Sequence, residues 1–220
     1  FVFLRPLGLR LLAERVPDGH GKFETKNEAG ETWTYEGDFS AGVFEGEGKT
    51  TWEDGTVQIG TYHEGIWQAT EWGLLFAAES TDAITVSDEA SSFIKENAEF
   101  FPSDSIEKFQ DNIDESITYK MVMKEPDKYG NKIMKANDLY VVQINTSQIY
   151  KDCEDKYTYA ILCDNDLNIY QIYMMGELPN IYEGDTIKTM YGTPVGNNSY
   201  ESSNGGFVNS VVVAPCWIQK

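Results

Sequence analysis

The first third of the chain has the residue pattern of short β-strands separated by glycine turns. Glu47-Gly-Lys-Thr-Thr-Trp52 and Thr56-Val-Gln-Ile-Gly-Thr-Tyr62 are rich in β-branched and aromatic residues, which are typical of strands. Between these two stretches, Glu53-Asp54-Gly55 supplies residues that accept the left-handed backbone of a tight hairpin turn. The pattern predicts antiparallel hairpins.

Glycines and aromatic residues recur at a fixed spacing in this part of the chain. Tyr35-Glu-Gly37-Asp-Phe39-Ser-Ala-Gly42 returns 23 residues later as Gln58-Ile-Gly60-Thr-Tyr62-His-Glu-Gly65. A glycine inside a strand weakens an isolated hairpin, so it indicates close backbone approach or an aromatic ring lying over it. We therefore expect each unit to need a neighbour, as in other repeat architectures.

Residues 19 to about 72 resemble MORN repeats, the membrane occupation and recognition nexus motif. The motif has a G-x-G, a turn glycine and then Y-x-G-x-(F/W)-x-x-G, which two sets of residues match: Gly19, Gly21, Gly30, Tyr35, Gly37, Phe39 and Gly42, then Gly46, Gly48, Gly55, Gly60, Tyr62 and Gly65. The second set departs from the motif at Gln58, where Tyr is usual, and at Tyr62, where Phe or Trp is commoner. The resemblance implies a twisted ladder of antiparallel hairpins that contacts protein or lipid and has no catalysis of its own.

The middle of the chain predicts two short helices. Glycine is absent from residue 80 to residue 129, and residues 87–101 place apolar side chains at helical spacing behind a capping Ser87. Pro102 ends this helix, and residues 103–117 predict a second one with Ile106, Phe109 and Ile113 on one face. Helices of this kind more often pack on a β core than carry catalytic residues.

The last hundred residues again predict strands, at 133–136, 139–144, 157–163, 169–173, 186–191 and 208–217. About five strands in this length favour a small barrel. Residues 118–220 resemble a divergent OB-fold of the kind found in many bacterial proteins of unknown role. The resemblance is carried by Pro126-Asp-Lys128-Tyr-Gly130-Asn-Lys132 leading into Leu139-Tyr-Val-Val-Gln143, by the hairpin of residues 157–173, and by Glu183-Gly184-Asp185-Thr-Ile-Lys-Thr-Met-Tyr191-Gly192.

The predicted fold class is therefore mainly β with a helical connector: a MORN β-hairpin ladder, two short helices and a five-stranded OB-like barrel. We predict four parts, namely an apolar and basic stub at 1–16, the repeat module at 17–75, the connector at 76–117 and the barrel at 118–220. The stub is open to two interpretations, a juxtamembrane segment or a strand that packs on the module. Its composition, and a start without Met, favour an extracytoplasmic or membrane-tethered protein of a bacterium.

Composition limits the possible functions. The chain has 36 acidic and 17 basic residues, a formal charge of −19, so we expect no nucleic-acid partner. Its three cysteines form no C-x-x-C and its histidines are only His20 and His63, so we expect neither a zinc site nor another cofactor. No apolar run of about 18 residues is present.

Other candidate chemistry has simpler explanations. Residues 164–168, Asp-Asn-Asp-Leu-Asn, begin like a calcium loop but lack its glycine and its final glutamate, so a hairpin turn fits better. Carboxylate pairs such as Glu45 with Glu47 arise freely in so acidic a chain, and no nucleophile motif accompanies them. The lysines at 120, 124, 128, 132 and 135 favour a solvated helical face. We therefore predict no enzyme.

The predicted function is a non-catalytic adaptor that uses the repeats to contact protein or membrane lipid. The alternative is an OB-like module that binds a small ligand or a glycan. The candidate binding residues are the repeat aromatics and two barrel tyrosines that share one strand face: Trp33, Tyr35, Phe39, Trp52, Tyr62, Trp67, Tyr157 and Tyr159. Together with Trp72, the repeat tryptophans form either an apolar or carbohydrate-binding face or a layer that simply packs over the strand glycines. Packing is the default explanation.

Overall fold

The computed structural model describes residues 16–150, 153–201 and 205–220, and the predicted stub at 1–16 lies almost wholly outside them. The described chain is mainly β, which confirms the predicted fold class. It divides into two compact units, with the boundary between Ala69 and Thr70. No helix among the described residues is long and apolar enough to span a membrane.

The first unit is one antiparallel sheet, which we call the repeat sheet. Its strands follow one another in chain order: β1 (Gly19–Lys26), β2 (Thr32–Ser40), β3 (Val43–Trp52), β4 (Val57–His63) and β5 (Ile66–Gln68). Each strand pairs with the next through a hairpin, because alternating polar and apolar residues are interrupted by short turns that contain glycine.

The two repeated segments have the same backbone shape, as their matched sequences predict. Ala41 and Gly42 connect β2 to β3 with φ of 48° and 82°, and Glu64 and Gly65 connect β4 to β5 with φ of 50° and 82°. Two successive residues with positive φ are the mark of the type I′ turn, which suits the twist of a hairpin. Sequence matches at a spacing of 23 residues therefore correspond to matched hairpins.

The second unit contains a closed five-stranded barrel. Its strands are β6 (Met134–Gln148), β7 (Lys156–Cys163), β8 (Ile169–Met175), β9 (Thr186–Glu201) and β10 (Phe207–Gln219). Around the barrel they lie in the order β10-β8-β7-β6-β9, with β10 parallel to β8 and the other pairs antiparallel. Strands β6 to β8 follow one another and β9 returns beside β6, which is a Greek key.

The long strand β6 closes the barrel by pairing with both β7 and β9. The predicted strands 133–136 and 139–144 are thus parts of one strand, which continues through Asp138 (φ 52°) without a register shift against β9. Its irregularity lies between Val141 and Gln143, against β7. The barrel interior is filled by large apolar side chains, among them Leu139, Leu162, Ile172 and Ile187, none of them exposed.

Helices α1 (Glu71–Ser80) and α2 (Asp88–Glu96) cover the outer side of the barrel wall. Helix α3 (Tyr119–Lys124) instead packs its buried Val122 with the side chains of the barrel interior. Short 3-10 helices lie at Ala98–Phe100, Ile106–Lys108, Gln110–Asn112 and Pro126–Lys128. Val211 and Val213 of β10 pack inside the barrel, whereas Val212 and Ala214 pack against the helical layer. The alternation of strand side chains gives this unit two cores, one on each side of the barrel wall.

The predicted helix at 103–117 is wrong. Only two 3-10 turns form there. Nearby side chains bind backbone N–H groups that a continuous helix would use: the Ser105 hydroxyl accepts from the Glu107 N–H, and an Asp114 carboxylate oxygen accepts from the Ser116 N–H. Ile113 also forms a parallel bridge with Ile133. The helix predicted at 87–101 does form, but it ends at Asn97, whose side-chain amide donates to the Phe93 carbonyl.

Helix α1 was not predicted, and it changes the position of one aromatic residue. Thr70 caps the helix by accepting from the Gly73 N–H at 3.0 Å. Trp72 therefore lies in the helical layer of the second unit, not on the repeat sheet, and the Lys95 ammonium lies 4.2 Å from its ring centre. The connector begins at this helix, directly after the unit boundary.

Candidate functional site

One side of the repeat sheet is covered by aromatic rings. We call it the aromatic face; the strand registers and the alternation of side chains place eight rings on it: Phe23, Trp33, Tyr35, Phe39, Phe44, Trp52, Tyr62 and Trp67. All six candidate residues predicted in the repeats are among them. The opposite side, the polar face, has charged and hydroxyl side chains together with Val43, Val57, Ile59 and Ile66.

A row of four glycines runs across the sheet beneath these rings. Gly21, Gly37, Gly48 and Gly60 are successive register partners on β1 to β4. A Cβ added to Gly48 would lie 2.5 Å from the ring of Tyr35, so only glycine leaves room for this ring. The ring of Tyr35 comes from the first repeat and lies on the second, which explains why each repeat needs its neighbour.

Three of the predicted contact residues are buried and hold the sheet together. Tyr35 is not exposed, and Phe39 and Tyr62 are 7% and 5% exposed. The Tyr35 hydroxyl donates to the Asp38 carbonyl at 2.9 Å, and the hydroxyls of Tyr62 and Thr50 are 2.8 Å apart. Burial raises the pKa of Tyr35, and it raises the pKa of Tyr62 to about 12, so both stay neutral.

Half-buried rings lie around this buried group and form the accessible part of the face. Phe23, Trp33 and Phe44 contact one another, with ring centres 5.6 to 6.1 Å apart. Phe44 also stacks on the buried Tyr35, with centres 3.8 Å apart. Trp52 is the register partner of Trp33, and Trp67 packs beside Tyr62. The face thus combines a buried base with an aromatic surface.

The polar face has two matched histidine–carboxylate pairs. His20 on β1 is 3.2 Å from Asp38 on β2, and His63 on β4 is 2.9 Å from Glu45 on β3. The hydrogen bond with Glu45 raises the pKa of His63, and the same bond lowers the pKa of Glu45. Each pair joins neighbouring strands on the exposed side of the sheet.

A second candidate site is a cleft on the outer side of the barrel. It has a volume of about 240 Å³ and five lining residues, which we call the tyrosine cleft: Asn145, Ser147, Tyr157, Tyr159 and Tyr173. Register explains the grouping, because Asn145 and Tyr173 both pair with Tyr159 from opposite sides, and the Tyr159 and Tyr173 rings are 5.1 Å apart. Both predicted barrel candidates, Tyr157 and Tyr159, therefore line one cleft.

The lining of the cleft is polar but carries no charged side chain. Lys156, on the same strand as Tyr157, forms an ion pair with Glu177. Lys151, which the sequence places near this strand, lies outside the described residues. Three tyrosine side chains, the amide of Asn145 and the hydroxyl of Ser147 suit a flat, neutral and hydroxyl-rich ligand.

Sequence reasoning missed several residues of both sites. Phe44 precedes Trp67 by 23 residues, so the repeat spacing itself could have identified it. Phe23, Asn145, Ser147 and Tyr173 carry no comparable signal, because they join their sites only through strand register. Asp164 instead forms a turn, as predicted, in which one carboxylate oxygen accepts from the N–H groups of Asp166 and Asn168.

Among the described residues, no group of three His, Cys, Asp or Glu side chains could hold a metal ion. Cys153 and Cys216 are buried, Cys163 is half-buried, and all three are free thiols. Burial raises the pKa of Cys163 and of Cys216, which disfavours the thiolate.

Comparison with known proteins identifies one segment. The family model of the MORN repeat matches residues 35–57, from β2 through β3 to the start of β4. No curated protein matches the chain. No solved structure matches it either. A MORN repeat indicates a binding or adaptor role in general, and such repeats are associated with protein or membrane contact.

Proposed function

We propose that this protein is a non-catalytic adaptor whose aromatic face binds a protein partner. The observation that carries the proposal is the contact group of Phe23, Trp33 and Phe44, three half-buried rings that contact one another. The group is anchored through Phe44, which stacks on the buried Tyr35. Aromatic anchors that are already ordered lose little side-chain entropy on binding, so they suit the centre of an interface.

The charge of the repeat sheet favours protein over membrane lipid as the partner. Residues 16–69 contain eleven acidic residues and three lysines. Anionic lipid headgroups would be repelled by this charge, whereas cationic side chains would be attracted to it. Lysine and arginine also bind the faces of tryptophan rings. We therefore expect a partner segment with both apolar and basic side chains.

The proposal can be tested with a random peptide library displayed on phage and selected on the immobilised 220-residue chain. Selected peptides should be rich in apolar and basic residues. Trp33→Ala should weaken their binding by at least about tenfold, because a truncated aromatic anchor costs at least that much. Affinity is measured by titration of a labelled synthetic peptide.

Thr34→Ala is the matched control, because Thr34 is the next residue on β2 and belongs to the polar face. It should bind as the unaltered chain does, and thermal melts should show that both variants are folded. Equal loss in the two variants would contradict the aromatic face as the site. Co-sedimentation with phosphatidylserine vesicles, without peptide binding, would contradict a protein partner.

A second function is favoured by the tyrosine cleft. We propose that the barrel is an OB-like module that binds a neutral saccharide there. Support comes from the Greek-key order of its strands, which OB barrels share, and from tyrosine rings beside an amide and a hydroxyl. A volume of about 240 Å³ is below that of pockets for drug-sized ligands, so one sugar ring is the expected occupant.

This second proposal is tested by titrating the chain with neutral mono- and oligosaccharides and following the tyrosine side-chain signals by NMR. Tyr159→Ala should abolish binding, since Tyr159 lies between both sides of the cleft. Tyr182→Ala is the control, because Tyr182 is 65% exposed and lies outside the cleft. Absence of shifts with every sugar would reject the saccharide site without affecting the adaptor proposal.

A further inference from the structure

One end of the repeat sheet is a long and regular strand edge. β1 pairs with β2 along all eight residues without a register shift. In the part of the chain that the structure describes, β1 is the terminal strand of the sheet and β2 is its neighbour. The other terminal strand, β5, has three residues, and a very short edge strand resists further pairing. β1 has no such protection by length.

The side chains of β1 carry an alternating charge pattern. Lys22, Glu24 and Lys26 follow one another on the polar face, and all three are exposed. Among the described residues, none of the three forms an ion pair. β1 is thus a strand with two positive charges and one negative charge at the end of an otherwise acidic sheet.

This pattern matches itself in one antiparallel register. Two copies of β1 with Phe23 opposite Phe23 of the second copy place each Lys22 opposite Glu24 of the other copy. A shift by two residues in either direction sets Lys22 against Lys22 or Glu24 against Glu24, and like charges directly opposite are unfavourable. A shift by one residue joins the polar face of one copy to the aromatic face of the other.

The same register also pairs aromatic side chains on the aromatic face. It brings the two Phe23 rings together at the symmetry axis, where each ring already contacts Trp33 of its own chain at 5.6 Å between centres. Cross-strand aromatic pairs stabilise sheets, as do opposite charges. A two-fold axis through one surface patch is the commonest symmetry of soluble oligomers.

We propose that this protein forms a homodimer in which the β1 strands of two copies pair antiparallel about Phe23, joining two repeat sheets into one continuous sheet. Backbone hydrogen bonds supply the association, and the two Lys22–Glu24 pairs set the register. Both aromatic faces then lie on the same side of the joined sheet, so one dimer presents two copies of that surface. The dimer does not depend on what the aromatic face binds.

The test is light scattering of the full 220-residue chain over a dilution series. The unaltered chain should be a dimer that dissociates on dilution. Lys22→Glu and Glu24→Lys each place like charges opposite one another twice, and each should raise the dissociation constant by at least about tenfold. The double variant, Lys22→Glu with Glu24→Lys, restores both pairs and should dimerise as the unaltered chain does. An equimolar mixture of the two single variants should also dimerise.

Lys49→Glu is the control, because Lys49 is an exposed lysine on β3, an interior strand of the same face. It changes the net charge as much as Lys22→Glu does but should leave the dimer unchanged. Circular dichroism melts verify that every variant is folded. A monomer at all concentrations overturns the proposal. A dimer that Lys22→Glu and Lys49→Glu weaken equally, or that neither single β1 variant weakens, overturns it as well.

Discussion

At the scale of single residues, the repeat sheet depends on glycines that leave room for rings. Gly48 lies under Tyr35, whereas Gly21 leaves a Cβ 3.4 Å from Phe39, an ordinary contact. We expect Gly48→Ala to lower the free energy of unfolding by about 1–3 kcal/mol, because the ring must move out of its packed position. Gly21→Ala should change it much less. Urea denaturation of both variants measures the difference, and equal effects would contradict the role assigned to the Tyr35 ring.

A second prediction at this scale concerns the protonation of His63. Its hydrogen bond with Glu45 raises the pKa of His63, so this contact stabilises the sheet below that pKa and is lost as the pH rises through it. Glu45→Gln removes the negative charge and should return the pKa of His63 toward about 6.5. An NMR titration of the imidazole protons measures this, with the His20 resonances as reference. An unchanged His63 curve would contradict the assigned cause.

At the scale of elements, one buried carboxyl group fixes the start of α1. Glu71 is 3% exposed; one of its oxygens accepts from the Met175 N–H of β8 at 2.8 Å, and the other has no partner among the described residues. Burial raises the pKa of Glu71 from 4.5 to about 8. The helix thus begins against the barrel through an acid that keeps its proton at neutral pH.

This acid predicts a pH dependence of stability. The unfolded chain loses the Glu71 proton near pH 4.5 but the folded chain only near pH 8, so the free energy of unfolding should fall between these values. The fall is of the order of 1.4 kcal/mol per pH unit. Glu71→Gln keeps an acceptor for Met175 without a proton to lose, and it should remove this slope in urea denaturation.

Glu99→Gln is the control for that experiment, because Glu99 is exposed on the 3-10 turn after α2. It should retain the slope of the unaltered chain. A Glu71→Gln variant whose stability still falls from pH 5 to pH 8 as the unaltered chain does would show that other groups cause the dependence.

The strands and helices that the sequence predicts correctly are those marked by residues within the element or in its flanking turns. The hairpins of the repeat sheet follow from turn residues such as Gly42 and Gly65, whose positive φ a sequence pattern reveals. The segment 103–117 was only partly predictable as 3-10 turns: Ser105 and Asp114 are local turn formers, whereas the bridge between Ile113 and Ile133 joins two separate parts of the chain. The tyrosine cleft was half predictable for the same reason: alternation along β7 places Tyr157 and Tyr159 together, but only register adds Tyr173.

At the scale of the whole molecule, the net charge governs stability in solution. A formal charge of −19 gives the folded chain more self-repulsion than the unfolded one, because folding brings the charges together. Raising the ionic strength toward 0.15 M screens this repulsion. We expect the melting temperature to rise, by about 2–4 °C for each kcal/mol gained.

Circular dichroism melts in sodium chloride and in tetramethylammonium chloride at equal ionic strength measure this effect. Both salts should raise the melting temperature alike if screening is the cause. A rise with sodium alone would indicate that a particular cation binds instead, and a fall with both would contradict the repulsion.

The glycine row has a consequence for how such a sheet can change over evolutionary time. Because Tyr35 of one repeat rests on Gly48 of the next, contacts of this kind cross the boundary between repeats. Tandem duplication of a 23-residue segment that contains both Tyr35 and Gly48 would add another such junction, whereas a copy of the second repeat would place Gln58 where the ring stands. A sheet of this kind would therefore lengthen by whole repeats only where each added unit brings both its own ring and a glycine beneath it.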